Sequence, residues 1–450
     1  MKGVILAAGP GEKIAPFNLT RPKAMIPIGN KPIIGHILEA LARNGIKDIV
    51  VVVGHLAQQI KGYVENMKEQ LDLKVTYVYQ EKPLGTADAL IKASNVIEED
   101  AIIVYGDIVT HHDTYTQIIE KFRKSDAFVV ATLAPRDRRS VFSVKTEGDL
   151  LTSIKWWGYG DSKVVGIFAL SEEAISFVKK NPGIMRNSEI GIMPPLEAEL
   201  IQSISDMIKQ GKAVYGVRAK EYLVDVDFPW DILYANREYY EYLAKSIKET
   251  KLGRNAYISD KADIRAPVVL GDNSYIGDRV VVKRPLFVGN NSRIDNGAII
   301  SRGIIGNNTI VENYCYVEAI LGNNVKVGHA AEVFGVVFDR VYIVHYSEVA
   351  GVIGENTDIG AATVVGTLRF DSEEQVVKVK GKRYLVPSVA YIGDYCRTGV
   401  NAIIMPGVRI GPYSIVGPGV VLYEDLEPYK MILVKQEYIK REWGPERYGW

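Results

Sequence analysis

Between Leu6 and Lys23 the chain carries residues suited to holding phosphate: Leu6-Ala7-Ala8-Gly9-Pro10-Gly11-Glu12-Lys13, then Arg21-Pro22-Lys23. Glycines let backbone N–H groups approach an anion with no side chain in the way, and lysines bring point charges that neutralise it. The spacing is neither G-x-x-x-x-G-K-[ST] nor a clean G-x-G-x-x-G, so neither a P-loop nor a dinucleotide fingerprint is present. Taken alone, the loop points to phosphate and no further.

The elements that must position this loop alternate in type. Residues 3–8 are a buried strand running into the glycines. Residues 32–44 have helical spacing, with Ile34, Ile37, Leu38 and Leu41 on one face, Pro32 in the first turn and Gly45 at the stop. Residues 49–53, 75–79 and 102–105 are further apolar strands, with a helix over 87–94. Continuously apolar strands separated by helices imply an α/β unit whose parallel sheet is covered on both faces. Ligands on such sheets sit at the carboxyl ends of strands. The loops after Ala8, Tyr79 and Tyr105 are therefore the places to expect a site. A helix over 232–251, rich in Tyr, Glu and Lys, closes this half.

Beyond Gly253 the grammar changes. Apolar–Gly pairs recur at multiples of six, as in Leu270-Gly271, Ile276-Gly277, Val288-Gly289, Leu321-Gly322, Val327-Gly328, Ile353-Gly354, Ile359-Gly360, Ile410-Gly411 and Val416-Gly417. A hexapeptide period signals a parallel β-helix, with the aliphatic residue filling the coil and glycine expected to take the corner dihedrals. The expected organisation is residues 1–250, then a β-helix over 251–430, then a tail over 431–450 whose basic and aromatic residues cap the last coil. A triangular prism of this kind associates along its flat sides, so a homo-oligomer built in threes is expected.

Composition narrows the classes. Lys+Arg and Asp+Glu are both 54, so no global charge argues for nucleic acid or an anionic membrane. No stretch approaches the length of a spanning helix, and the first apolar run is too short for a signal segment, so a cytoplasmic protein is expected. Two cysteines, Cys315 and Cys396, are read as small buried hydrophobes.

At four segments the chain resembles the sugar-1-phosphate nucleotidylyltransferases. They are Leu-Ala-Ala-Gly-x-Gly with Pro22-Lys23, Gln80 with Leu84-Gly85-Thr86-Ala87-Asp88, Tyr105-Gly106-Asp107, and Val224-Asp225-Val226-Asp227-Phe228-Pro229-Trp230. The resemblance implies a Rossmann-like glycosyltransferase A-type domain that joins a nucleoside triphosphate to a sugar 1-phosphate and releases pyrophosphate. It further implies nucleotide contacts at Leu6, Ala7, Ala8, Gly9, Gly11, Gln80, Gly85 and Thr86, and sugar contacts at Tyr105, Gly106 and Gly166. Lys13 and Lys23 would act on the phosphates, and Asp107 and Asp225 would hold Mg²⁺. A Gln at position 80 goes with uracil or thymine, hence UTP or dTTP. Three positions depart from the family pattern. Lys13 stands for an Arg, Ile154-Lys155-Trp156-Trp157 for a Glu-Lys-Pro segment, and Val164-Val165-Gly166 for an Asn-Ala-Gly segment. By this matching the carboxylate for sugar hydroxyls and the acceptor amide are missing, Lys155 is the candidate for the sugar phosphate, and the two tryptophans either stack on a sugar or pack.

The whole layout resembles the bifunctional N-acetylglucosamine-1-phosphate uridylyltransferases, whose left-handed β-helix transfers acetyl from acetyl-CoA. His345 in Val344-His345-Tyr346-Ser347 falls at the catalytic base, a role a neutral imidazole suits. Asp358-Ile359-Gly360-Ala361, Leu368-Arg369-Phe370-Asp371 and the acetyl-CoA edge at Ala390-Tyr391-Ile392-Gly393-Asp394 also match. Acceptor positions differ: Glu348, Asp358, Thr367 and Glu318 replace a Tyr, two Asn and an Arg, and added acids would repel a sugar phosphate. The β-helix thus acetylates another acceptor, acts as a scaffold, or performs the family reaction. For the whole chain, the alternatives to the nucleotidylyltransferase are a non-catalytic sugar-nucleotide-binding regulatory subunit and an acyltransferase working through His345.

Overall fold

The computed structural model describes residues 1–136, 142–156, 162–183, 197–368, 373 and 375–448. Strands β1 (Lys2–Ala7), β2 (Asp48–Val53), β3 (Lys74–Tyr79) and β4 (Ala101–Tyr105) lie parallel in the order β3-β2-β1-β4. A short strand β5 (Ile108–Thr110) follows at once. The sheet then continues through β6 (Val129–Pro135), β7 (Phe142–Glu147), β8 (Leu150–Trp156), β9 (Ser162–Leu170) and β10 (Val214–Arg218), in the order β4-β9-β6-β10-β8-β7. Strand β9 runs antiparallel to both β4 and β6. The expected parallel sheet is therefore mixed: its first four strands are parallel, β9 reverses, and β10 again pairs parallel with β6. Among the described residues between 129 and 170 strands follow one another without crossover helices, and strands joined by short turns, such as the one at Gly148 with φ +59°, can only pair antiparallel. A final strand β11 (Leu223–Asp225) pairs antiparallel with β5.

Among the described residues seven α-helices position the loops: α1 (Ile33–Arg43), α2 (Ala57–Leu71), α3 (Thr86–Ala93), α4 (His112–Lys124), α5 (Glu172–Val178), α6 (Leu200–Lys209) and α7 (Pro229–Ser246). Alternate strand residues point to opposite faces. Val4, Leu6, Val50, Val52 and Ile103 pack with α3, α5 and α6. Ile5, Ala7, Ile49, Val51, Val53, Ile102 and Val104 pack with α1, α2, α4 and α7. Both faces of the parallel unit are thus covered, and only its strand ends are open.

From Lys251 the chain winds into a left-handed β-helix. Tyr257, Tyr275 and Arg293 stack at successive steps of 18 residues, three hexapeptides per coil. Later coils tighten to 16, through Ile310, Lys326, Tyr342 and Asp358. The step from Asp358 to Arg397 is longer because a two-stranded ribbon, Gln375–Val379 with Lys382–Val386, projects from that coil. The glycines of the apolar–Gly pairs do not take the corner dihedrals. Left-handed φ values of +53° to +56° belong to Asn255, Asn273, Asn291, Asn308, Asn324 and Asn356, a residue that tolerates that region. Gly271 is needed for a different reason: a Cβ there would lie 2.6 Å from the backbone of Gly289 in the next coil. Cys315 and Cys396 are free thiols inside the coils, pushed up by burial to about 11 and about 12.

The tail does less than expected. Met431–Ile432 add one rung against Ile415–Val416, but Tyr438, Ile439 and Trp443 are exposed. Residues 433–447 show no apolar periodicity with which to cover a coil; Trp450 lies outside the described residues. The first half packs elsewhere, on the side of the middle coils. Phe17, Phe228, Trp230 and Tyr240 form one continuous core with Ile320, Val336, Phe338, Tyr391 and the ribbon residues Val379 and Val386. Among the described residues no helix is long and apolar enough to cross a membrane.

Candidate active site

Two adjoining cavities open at the carboxyl ends of β1, β3 and β4. The first, about 240 Å³, is lined by Leu6, Ala7, Ala8, Gly9, Lys23, Gln80 and Gly85. The second, about 300 Å³, is lined by Lys13, Lys163, Gly166, Glu199, Asp225 and Asp227. Thr86, Tyr105 and Asp107 border both. The loops after Ala8, Tyr79 and Tyr105 therefore converge as their position in an α/β sheet implies.

Asp107 follows β4, and the Gly106 N–H donates to the Leu6 carbonyl at 2.9 Å. Asp225 ends β11, whose pairing places it opposite Ile108. The Val226 N–H donates to the Asp107 carbonyl at 3.0 Å, tying the two loops together. Val226 is fully buried, so Asp225 and Asp227 flank it on the other side of an extended chain. Asp231, at the start of α7, accepts the N–H groups of Asp227 (3.0 Å) and Phe228 (2.8 Å) and holds this loop. As a result Asp107, Asp225 and Asp227 bring carboxylate oxygens within 4.8 Å of one another.

Lys23 lies across them, 2.6 Å from Asp107 and 2.9 Å from Asp227; Lys13 is 3.5 Å from Asp227. Burial alone would lower the Lys23 ammonium, but attraction to Asp107, Asp227 and Asp225 outweighs it and holds the group well above its ordinary value. Asp225 is pushed up to about 8, first by burial and then by repulsion from Asp227 and Asp107. Asp227 goes the other way: burial opposes its charge, but Lys23 and Lys13 draw it below the usual range. Asp107 Oδ1 is buried without a hydrogen-bond partner. Three carboxylates and an unsatisfied oxygen form a donor set that suits a hard divalent cation.

The remaining residues have definite surroundings. Gln80 is buried and its amide N–H₂ donates to Asp88 (2.8 Å) and to the Gly85 carbonyl (3.0 Å). Gly85 does not simply leave space for a ligand. Its φ is +101°, and a Cβ would run into the Ala198 carbonyl, which accepts the Ala87 N–H at 2.7 Å. Gly166 makes room for the Tyr105 ring. Gly11, at φ +62°, borders neither cavity; a Cβ there would press on the Lys23 side chain at 2.6 Å.

Three residues escaped the sequence reading. Asp227 lay within a quoted segment, and its i, i+2 spacing from Asp225 was the available signal. Lys163 reaches the second cavity from β9, whereas Lys155 is exposed and borders neither cavity. Glu199 brings a carboxylate to the second cavity; it accepts the Thr86 hydroxyl at 2.8 Å and has no motif of its own. Trp156 packs on Phe142 with ring centroids 4.4 Å apart, and Trp157 lies outside the described residues.

On the β-helix, His345 stands exposed at a corner beside Tyr346 (ring centroids 5.1 Å), one coil above His329. Glu348 stacks on Glu332 in register. Asp358 is offset by Arg397 at 3.4 Å, and Glu318 by Arg302 at 3.2 Å, so part of the added acidity is neutralised locally. Ala390 is fully buried in the coil interior, where it pairs with Gly351. The expected acetyl-CoA contact therefore cannot come from its side chain, because the alternation of the rung turns that position inward. Arg369–Asp371 lie outside the described residues.

This fold and site define a nucleotidylyltransferase domain joined to a hexapeptide β-helix, and comparison with known proteins agrees. A nucleotidyl transferase model matches residues 2–146, a GMPPB C-terminal domain model residues 247–338, and a model of the bacterial transferase hexapeptide (six repeats) residues 390–424. The chain is 30% identical over 453 residues to the "Bifunctional protein GlmU" of Methanococcus maripaludis, covering 98% of both chains. It is 30% identical over 432 residues to the "Bifunctional sugar-1-phosphate nucleotidylyltransferase/acetyltransferase" of Sulfurisphaera tokodaii, covering 95% of this chain and 98% of that one. A solved UDP-glucose pyrophosphorylase complexed with UDP-glucose is similar at 18% identity and a TM-score of 0.47, over 54% of this chain and 98% of that one. The chain belongs to the family of bifunctional sugar-1-phosphate nucleotidylyltransferase/acetyltransferases.

Proposed function

We propose that this protein transfers a nucleotidyl group from UTP or dTTP to a sugar 1-phosphate, the triphosphate lying in the first cavity and the sugar phosphate in the second. The observation that carries the reading is the group of Asp107, Asp225, Asp227 and Lys23 where the cavities meet. A phosphate oxygen of the sugar phosphate attacks the α-phosphorus, the bond to the β-phosphate breaks, and pyrophosphate leaves. The charge spread over the phosphates is what the site must stabilise. Mg²⁺ held by the three aspartates supplies neutralisation there. Lys23 and Lys13 offer their ammonium groups to the triphosphate, Lys163 faces the sugar phosphate, and Glu199 accepts from sugar hydroxyls.

The base preference follows from the Gln80 amide. Its N–H₂ is committed to Asp88 and Gly85, leaving Oε1 to accept a hydrogen bond. Uracil and thymine donate from N3–H, whereas cytosine and adenine present acceptors at the corresponding ring nitrogen. Asp88→Ala should free the amide to rotate and cut the preference for UTP over CTP about tenfold, about 1.4 kcal/mol; kcat/KM for the two nucleotides checks it.

The test is pyrophosphate release from a matrix of nucleoside triphosphates and hexose 1-phosphates with Mg²⁺. Release with UTP or dTTP supports the reading; release from no pair favours a regulatory subunit. The same reading takes the protein as a cytoplasmic homo-oligomer built in threes, which would cover the exposed Ile403, Val421 and Tyr423. It gives the β-helix an acetyl-CoA-dependent transfer to an amine with His345 as base. His345→Ala should lower coenzyme A release at least about 10²-fold, leaving pyrophosphate release unchanged. Equal coenzyme A release by the variant would remove His345 from that role.

A further inference from the structure

The loop that carries Lys23 is not held by its own domain alone. Arg21, two residues before Lys23, reaches into the β-helix. Its Nη2 lies 2.6 Å from Asp394 Oδ2 and 2.9 Å from Glu355 Oε2, and its Nε lies 3.1 Å from Asp394 Oδ2. The Thr20 hydroxyl donates to the same Asp394 oxygen at 2.6 Å, and the Arg21 guanidinium lies 4.8 Å from the centre of the Phe338 ring. The contact is enclosed: the Arg21 side chain is 11% exposed and that of Asp394 1%.

Asp394 shows why this is more than incidental packing. It occupies a column of the β-helix in which a side-chain oxygen accepts the N–H of the neighbouring coil. Asn290, Asn307 and Asn323 do this for Asp272, Asn290 and Asn307. Asp394 Oδ1 does the same for the Glu355 N–H at 2.7 Å. Asp272 and Asp339 fill the same place for Arg254 and Asn323, so amide and carboxylate both satisfy the ladder and it does not require a charge at 394. The second oxygen, Oδ2, goes to Arg21 and Thr20. The ribbon projecting from the same coil reaches the other side of the site. The Tyr384 ring packs 4.6 Å from Phe228, next to Asp227, and Lys380 at the ribbon turn pairs with Glu12 of the glycine loop.

We propose that Asp394 is a positioning residue for nucleotidyl transfer: through Arg21 it fixes the loop that aims Lys23 at the phosphates, so the β-helix is a working part of the nucleotidyl site. A buried, charge-assisted contact of this kind restrains a loop more firmly than an exposed pair. This inference rests on the assignment of Lys23 to phosphate, and activity of the unaltered chain tests that assignment separately.

Asp394→Asn is the informative change, because it keeps an oxygen for the ladder and removes only the charge facing Arg21. In the full-length protein with Mg²⁺, UTP and its preferred sugar 1-phosphate, it should lower kcat or raise the KM for UTP, about tenfold in kcat/KM. The KM for the sugar phosphate should stay within about twofold, and the melting temperature within a few degrees. Arg21→Ala should cause a similar loss, and the double variant should lose no more than Arg21→Ala alone, as for two groups acting through one contact. Arg21→Lys should recover part of the activity. Wild-type kinetics for Asp394→Asn, a KM for the sugar phosphate raised as far as that for UTP and beyond about twofold, or losses that multiply in the double variant would overturn the proposal. An inactive unaltered chain would instead count against the function proposed above.

Discussion

Asp107→Asn is expected to lower pyrophosphate release by 10²- to 10³-fold, on the order of 3–4 kcal/mol in transition-state stabilisation. The substitution keeps the shape of the side chain and the Lys23 contact partner Asp227, so the fold should be unchanged by circular dichroism. What it removes is a full negative charge from the group of three carboxylates, at the one oxygen pair that includes a buried, unpartnered acceptor. A hard divalent cation holds to carboxylate far better than to amide oxygen. The loss should therefore appear in kcat at saturating nucleotide, and higher Mg²⁺ should recover part of it. Activity within threefold of the unaltered enzyme at all Mg²⁺ concentrations would mean that Asp107 plays no part in the chemistry.

Lys23→Met should have two effects that separate by condition. Without divalent cation it leaves Asp107, Asp225 and Asp227 facing one another, offset by Lys13, 3.5 Å from Asp227, and by the charge of Lys163 on Asp225. Removing one partner from a buried ionic group costs about 3 kcal/mol. The variant should thus unfold at lower denaturant in EDTA and regain much of that stability with Mg²⁺, since a cation that binds the folded state stabilises it by mass action. Nucleotidyl transfer should stay depressed about 10²-fold even with Mg²⁺, because the ammonium facing the triphosphate is gone. A variant as stable as the original in EDTA would show that Lys23 is not what balances the acids.

Much of this site is written in local sequence. The apolar runs before Ala8, Tyr79 and Tyr105 mark strands, and an α/β sheet binds at their ends, so the glycine loop, Gln80 and Asp107 could be placed before any coordinates. The hexapeptide spacing marked the β-helix in the same way, because each period buries one aliphatic residue. What could not be read depends on long-range placement. Asp225 is reached only through the family resemblance, because β5 and β11, which bring it to Asp107, are three residues each and leave no pattern of their own. Lys163 and Glu199 arrive from a central strand and from the residue before α6, while Lys155, the motif-based candidate, turns to solvent. Glycine misled at the coil corners, where Gly271 allows coils to touch while asparagines turn the chain; Gly85 lines the first cavity and also makes room for the chain's own Ala198. The shared core of Phe17, Trp230, Phe338 and Tyr391 likewise has no local signature, since each residue alone reads as an ordinary apolar position.

One divalent ion is expected among Asp107, Asp225 and Asp227. Anomalous diffraction from crystals grown with Mn²⁺ and a non-hydrolysable UTP analogue tests it most directly. A manganese peak within bonding distance of carboxylate oxygens from Asp107 and from at least one of Asp225 and Asp227, with Lys23 moved off them toward phosphate, is the predicted result. Nucleotide bound in the cavity with Lys23 still bridging Asp107 and Asp227, and no manganese among the three acids, would contradict it.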